Sequence, residues 1–134
     1  MELVMIGSLQ VLLSGIIAGM IIFQAGVVAP ALFKNLPAEQ AGPFLRSVFP
    51  KLFGIAFLLG CVAFVLSFID NGGAASKIVF LVTVVAMAIC YLVIPATNSA
   101  KDSGEEGTFK KLHSLSVILT LIVLVLNVIW VFFS

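Results

Sequence analysis

LHSLSVILTLIVLVLNVIWVFFS, residues 112–134, is an uncharged run at the end of the chain. About 20 apolar residues that each rise 1.5 Å match the hydrocarbon thickness of a bilayer, so the run predicts a transmembrane helix. Lys110 and Lys111 stand directly before it, where charged side chains can reach the membrane surface. The stretch therefore indicates an integral membrane protein.

Three more apolar runs precede this one. Together they predict an all-α integral membrane four-helix bundle, with one transmembrane domain over residues 1–134. The connection between the first two runs holds apolar residues on one face after Pro37, so we predict a short interfacial helix there. The predicted helices cover about 3–33, 52–69, 78–100 and 109–133, with the interfacial segment at about 37–49.

Composition agrees with a membrane protein. The 134 residues are 62% hydrophobic and 10% charged, and no soluble domain of this size tolerates such a surface. The net charge of +1 supplies no basic field for nucleic acid, so the lipid bilayer is the expected partner. Glu2 and the long first run differ from a signal peptide, so the first helix is expected to stay in the mature protein.

Basic residues predict the orientation, because cytoplasmic loops are enriched in Lys and Arg. Six of the seven fall in the first and third connections, and Lys77 alone lies on the opposite side. Those two connections are therefore predicted to be cytoplasmic, with both termini and the DNGG turn at residues 70–73 outside. The six are Lys34, Arg46, Lys51, Lys101, Lys110 and Lys111.

Polar side chains form stripes on three of the predicted helices. An unpaired polar group is unfavourable in hydrocarbon, so these stripes are expected to face other helices. Two interpretations remain open: interhelical hydrogen bonds, which we favour because no charged residue joins the stripes, and a path for a solute. The stripes are Gln10 and Gln24 on helix one, Thr83, Met87, Cys90, Thr97 and Asn98 on helix three, and His113, Ser116, Thr120 and Asn127 on helix four.

A polar cluster is expected at the cytoplasmic side of the bundle. Its members are Gln24, Pro30, Asn98, His113 and Ser116, and Thr120 and Asn127 extend it outward. The only histidine, His113, either braces neighbouring helices or takes part in ligand or proton chemistry. Haem proteins with two axial histidines need a second one, and no cofactor is required by the sequence.

Sulfur-containing side chains offer a second kind of site. Thioether and thiolate groups suit soft metals such as Cu(I), but scattered sulfurs are more often core filler, and Cys61 and Cys90 show no motif spacing. Helix one also carries a Gly-x-x-x-Gly pair, Gly15 and Gly19, followed by Gly26, which allows another helix to approach closely. The candidate metal ligands are Met20, Met87, Cys90 and His113.

Three stretches resemble a known family. They are FQAGVVAPALFKNLPAEQAGPFLRSVFPKLF at 23–53, IPATN at 94–98 and FKKLHSLSVILTLIVLVLN at 109–127. Their pattern is similar to that of the bacterial domain-of-unknown-function family numbered 4149, whose eukaryotic relatives are called transmembrane protein 205. The residues that carry it are Ala29, Pro30, Phe33, Ala41, Gly42, Phe109, Leu112, His113, Ser116 and Asn127.

The resemblance implies a four-helix bundle in the bacterial inner membrane, with no settled activity. Eukaryotic members are associated with platinum-drug resistance and some bacterial relatives carry copper-resistance names, which favours the soft-metal interpretation. The matched positions crowd the cytoplasmic ends of helices one, two and four, so a site is expected there.

Three functions follow as hypotheses. We expect no enzymatic activity in the first two. The leading one is a membrane protein that binds or helps to translocate a small solute, with a soft metal ion as one candidate. The alternative is a non-catalytic subunit or scaffold of a larger membrane complex, or a homo-oligomer, that packs through the Gly15 and Gly19 face. The third is a haem or quinone redox protein that uses His113.

Overall fold

The computed structural model describes residues 1–70 and 73–134, and in them the chain forms four long helices. All four are long and apolar enough to cross a membrane, which confirms the four predicted transmembrane helices. We call the end with the α1–α2 and α3–α4 connections the inner end, and the end with both termini the outer end. The helices are α1 (Glu2–Asn35), α2 (Ala38–Ile69), α3 (Gly73–Asp102) and α4 (Glu106–Phe133).

Short connections join the helices at the inner end. Leu36 adopts an extended conformation that ends α1, as expected for a residue before proline, and Pro37 caps the start of α2. The α3–α4 connection includes Gly104, whose φ of +72° lies in the left-handed region that favours glycine. The predicted tight turn at the outer end includes residues 71 and 72, which lie outside the described residues.

The predicted interfacial segment at 37–49 does not form a separate helix. Residues Ala38–Ile69 are one continuous helix of 32 residues that includes Pro43 and Pro50. Ala41 is buried and Phe49 packs against a cluster of buried apolar residues, whereas Phe44 is 44% exposed. The segment is therefore the first part of the second long helix, and the prediction of a separate short helix is corrected.

Two helices are irregular in their inner halves. In α1, a π-helical turn at Gln24–Val28 separates Glu2–Phe23 from Ala29–Asn35. In α3, a turn at Val93 lies between Gly73–Leu92 and Ile94–Asp102, and Val93 still bonds the Ile89 carbonyl oxygen and the Thr97 N–H. Pro30 and Pro95 follow these points, and because proline has no N–H, each removes a hydrogen bond from its helix.

The helices form a closed ring in which each packs against the next and α4 packs against α1. Two apolar clusters fill the ring. The inner core cluster is Ile17, Ile21, Leu52, Phe53, Ala56, Ala86, Met87, Cys90 and Val123. The outer core cluster is Ala63, Val79, Phe80 and Trp130, in which the Phe80 and Trp130 rings meet edge to face at 5.1 Å.

Large apolar side chains also cover the outside of the ring. Leu58 and Phe68 on α2 are each 63% exposed, and similar residues occur on every helix. A soluble protein with so much exposed apolar surface would aggregate, whereas acyl chains solvate it well. The chain is therefore a membrane protein with four candidate spans.

Candidate functional site

A polar network joins three helices in the outer half of the bundle. Asn127 Nδ2 donates to Thr83 Oγ1 at 3.0 Å and to the Val123 carbonyl oxygen at 2.8 Å. Ser14 Oγ donates to Asn127 Oδ1 at 2.7 Å. Ser14, Thr83 and Asn127 are fully buried, and their hydrogen bonds tie α1 and α3 to α4. We call these three residues the polar network.

The remaining helix, α2, contacts the polar network at a glycine. A Cβ atom added to Gly60 on α2 would lie 3.0 Å from Thr83 Cγ2, which is closer than ordinary van der Waals contact. The absence of a side chain at Gly60 lets α2 approach α3 here. All four helices therefore meet at the level of this network.

Gln10 lies one turn before Ser14 and is also fully buried. In the amide orientation that pairs both polar atoms, Nε2 donates to Asp70 Oδ2 at 3.1 Å and Oε1 accepts from the Ser67 N–H at 3.2 Å. These contacts connect α1 to the outer end of α2. Gln10 is thus fully accounted for as a structural residue.

Gln24 differs from Gln10, although both lie on the buried face of α1. It is 7% exposed, and its Nε2 atom is buried without any hydrogen-bond partner. Within residues 1–70 and 73–134 no other buried side-chain nitrogen or oxygen is left unpaired. Because a buried donor without an acceptor costs about 1–3 kcal/mol, this amide requires an explanation.

Helix geometry places Gln24 at a level where several helices are irregular. A step of ten residues along each helix, about 15 Å, leads inward from the level of the polar network. The residues reached from Ser14, Gly60, Thr83 and Asn127 are, in that order, Gln24 in the π-helical turn, Pro50 inside α2, Val93 at the turn in α3, and Val117 on α4. We call this level the inner layer.

The prolines leave backbone carbonyl groups without helical partners at or near the inner layer. Pro50 cannot donate to the Arg46 carbonyl, and Pro95 cannot donate to the Tyr91 carbonyl. In membrane proteins, irregular backbone is tolerated where it is buried in protein or lines a cavity, and π-helical turns are frequent at functional sites. The inner layer is therefore the candidate site.

Sulfur atoms lie just outward of the inner layer. Met87 and Cys90 are fully buried in the inner core cluster, and Met20 packs against it. Cys90 Sγ lies 3.7 Å from the Ser116 carbonyl oxygen and 4.0 Å from Thr120 Oγ1. The described residues hold no group of three His, Cys, Asp or Glu side chains that could bind a metal ion. Three of the four candidate metal ligands thus share one cluster.

The remaining members of the predicted cytoplasmic cluster are spread out. His113 is exposed, and its ring stacks on Phe109 with centroids 5.6 Å apart. Pro30 is exposed, whereas Asn98 and Ser116 are half-buried. His113 does not join Gln24, because α4 packs on the Glu2–Phe23 part of α1 and on α3 and has no comparable contact with the described residues Gln24–Asn35.

The glycine face of α1 contacts no other helix of the chain. Gly15, Gly19 and Gly26 are exposed, and a Cβ atom added to any of them would have no neighbour within 4 Å. These residues face away from the ring because Gln10, Ser14, Ile17 and Ile21 occupy the buried side. The close approach predicted for this face does not occur within one copy of the chain.

An ion pair joins α2 to the end of α3 at the inner end. Arg46 Nη2 lies 2.5 Å from Asp102 Oδ1, and Arg46 Nη1 donates to Asp102 Oδ2 at 3.1 Å. Both side chains are exposed, so solvent screens the pair. Its bidentate geometry links the two helices at the inner end of the bundle.

Residues 12–106 match the family described as "Domain of unknown function (DUF4149)". The chain belongs to this family. A protein of Aquifex aeolicus (strain VF5), named "Uncharacterized protein", is 32% identical over 100 residues, which cover 75% of this chain and 74% of the relative. No solved structure matches the chain. The family match includes Gln24 and Pro50, whereas the resemblance noted at 109–127 lies beyond it.

Sequence patterns missed several residues of the interior. Ser14 follows Gln10 by four residues, so the two share a helix face, and this spacing could have identified it. Ser67 has the same kind of signal, three residues before Asp70. The pairing of Arg46 with Asp102 links residues 56 positions apart and had no local signal.

Proposed function

We propose that this chain is a non-catalytic membrane protein that binds a small solute at the inner layer and helps it to cross the membrane. The observation that carries the proposal is the buried, unpaired Nε2 atom of Gln24. A solute that offers an acceptor atom removes the penalty of that donor, and the prolines leave backbone carbonyl groups without helical donors at or near the same level.

The chemistry of Gln24 favours a neutral solute that carries an oxygen acceptor. An amide N–H binds a carbonyl, hydroxyl or ether oxygen well. The described interior near this level holds no charged side chain, so an ion would have no counter-charge there. Small polar solutes such as glycerol fit both conditions.

A soft metal ion is a second candidate, supported by the sulfur atoms. Met87 and Cys90 are buried together and Met20 packs against them, one to two turns outward of the inner layer. Thioether and thiol groups bind Cu(I) without any need for carboxylates. This candidate needs the cysteine, whereas the neutral-solute candidate needs the glutamine.

Flux measurements in proteoliposomes test both candidates. For glycerol, followed by stopped-flow light scattering, we expect wild-type flux above that of protein-free liposomes and its loss in Gln24→Leu. Gln40→Leu, at an exposed glutamine, is the matched control. For Cu(I), followed by an entrapped indicator, Cys90→Ser is compared with Cys61→Ser. The proposal would be contradicted if both glycerol and Cu(I) crossed no faster than in protein-free liposomes.

The proposed setting is the bacterial inner membrane, with the inner end cytoplasmic. The inner end carries six basic and four acidic side chains, and the outer end one basic and two acidic. This asymmetry supports an orientation with both termini outside, because positively charged segments are retained on the cytoplasmic side.

A non-catalytic subunit or scaffold is the alternative function, and the exposed glycine face of α1 favours it. In membranes, exposed small residues let another helix pack closely, either from a second copy in a homo-oligomer or from a larger complex. Replacing Gly15 and Gly19 with Ile should release such a partner during mild-detergent purification, while Val65→Ile on the exposed face of α2 should not. Wild-type protein recovered as a monomer would contradict this alternative.

A further inference from the structure

A shallow apolar groove runs along the inner third of α1, from the end of the π-helical turn toward the inner end, and Gln24 is not among its lining residues. It has a volume of about 370 Å³ and opens to the outside of the ring. Six of its seven lining residues are apolar, and it ends at Phe44 near the start of α2. The lining residues are Val27, Val28, Ala31, Leu32, Asn35, Leu36 and Phe44.

The lining of the groove is almost wholly apolar. Asn35 is its one polar lining residue, and its Nδ2 already donates to the Ala31 carbonyl oxygen at 2.7 Å. A hydrophilic solute would lose its hydration there without gaining hydrogen bonds, so the part of any occupant that lies in the groove is apolar. In a membrane protein, the apolar molecule against an outward-facing surface is a lipid chain.

Charge at the inner end selects among lipids. Lys34, in the same helical turn as Asn35, is exposed and is the first charged residue after Glu2 along α1. The inner end as a whole has a side-chain charge of +2, from six basic and four acidic residues, against −1 at the outer end. Such a surface complements the anionic headgroups of the cytoplasmic leaflet.

We infer that this groove binds an anionic phospholipid, with an acyl chain along Val28 and Ala31 and the phosphate beside Lys34. The site is independent of Gln24, which lies nearer the centre of the membrane. A second apolar groove, lined by Cys61, Val62, Val65 and Leu66, has a volume of about 270 Å³ and lies in the outer third of α2, toward the end of the bundle with the negative side-chain charge. It serves as an internal comparison.

Native mass spectrometry of the full chain tests the inference, with phosphatidylglycerol and phosphatidylcholine of identical chains as probes. Wild type should retain phosphatidylglycerol preferentially, and Lys34→Gln should reduce that preference about fivefold, since one lysine near the surface contributes about that factor. Ala31→Trp, which fills the groove, should reduce retention of the lipid about tenfold or more. Val27→Trp, at an exposed lining residue, repeats the test if Ala31→Trp does not fold.

Matched controls are Val62→Trp in the second groove and Lys77→Gln at the outer end, and both should retain the wild-type lipid preference. Equal retention of the two lipids by wild type would overturn the inference. An equal loss of phosphatidylglycerol retention in Val62→Trp and Ala31→Trp would also overturn it. A wild-type dimer that Ala31→Trp converts to a monomer would also overturn it, because a second copy would then occupy the groove.

Discussion

Two glutamines on one face of α1 show how the partners of a side chain decide its role. Gln10 and Gln24 are both buried, and each brings a primary amide into a membrane-spanning helix. Gln10 forms hydrogen bonds with the Asp70 carboxylate and the Ser67 N–H, whereas the Gln24 nitrogen has no hydrogen-bond acceptor in the protein. The first amide stabilises the fold, and the second is left available to a solute.

Replacing Gln24 with Leu should stabilise the empty protein. The substitution removes a buried donor without a partner and keeps a similar volume, so the free energy of unfolding should rise by about 1–3 kcal/mol. Unfolding in detergent micelles, followed by circular dichroism, measures the change. Gln40→Leu, at an exposed position, should change it by less than about 0.5 kcal/mol. A loss of stability in Gln24→Leu would mean that the amide has protein partners.

Ser14 and Asn127 should be energetically coupled. Their 2.7 Å hydrogen bond is buried, and such bonds in membrane proteins contribute about 0.6 kcal/mol, with a maximum near 1.7. A double-mutant cycle of Ser14→Ala and Asn127→Leu should give a coupling energy in this range. The same cycle with Ser8→Ala is the control, because Ser8 bonds only the Val4 carbonyl oxygen, and its coupling should be zero. Equal coupling in both cycles would contradict the network.

At the scale of a helix, two of the three glycines of α2, Gly54 and Gly60, have different surroundings. Thr83 holds its rotamer by hydrogen bonds to Val79 and Asn127, so its methyl group cannot move away from Gly60. At Gly54 the nearest atom to an added Cβ is Tyr91 Cε2 at 4.0 Å. One glycine is therefore required by packing and the other is not.

Gly54→Ala should stabilise the protein by roughly 0.5–1 kcal/mol, because alanine loses less backbone entropy in a helix. Gly60→Ala should instead destabilise it, because overpacking of this kind typically costs about 1–3 kcal/mol. Thermal unfolding of both variants in the same detergent measures the difference. The same effect of both substitutions on stability would contradict the close packing of Thr83 against Gly60.

The helices were predictable from the sequence because uncharged apolar runs have few alternatives in a membrane. The start of α2 was not, since residues 38–51 carry charges and two prolines, and only the structure shows that they belong to the same continuous helix as the apolar run. The angular positions of polar residues around their helices predicted that Asn127 and Gln24 are buried, as they are. The same reasoning predicted that His113 is buried, but it is exposed. Near the end of a bundle, a helix has neighbours on fewer sides, and periodicity alone cannot show which sides remain covered.

For the whole molecule, the orientation is a prediction that labelling can test. In a background of Cys61→Ser and Cys90→Ser, Ser134→Cys should react with a membrane-impermeant maleimide in intact cells. Ser103→Cys, in the exposed α3–α4 connection, should react only after the membrane is permeabilised. The reverse pattern would place the inner end outside and would remove the proposed cytoplasmic setting.

The most direct test of the central claim is an experimental density map of the protein in a lipid nanodisc, resolved well enough to show ordered molecules at Gln24. Density for a water or solute is expected within about 2.7–3.2 Å of the Gln24 Nε2 atom. A protein carbonyl at that distance, or apolar side chains packed tightly around the amide, would contradict the proposed site.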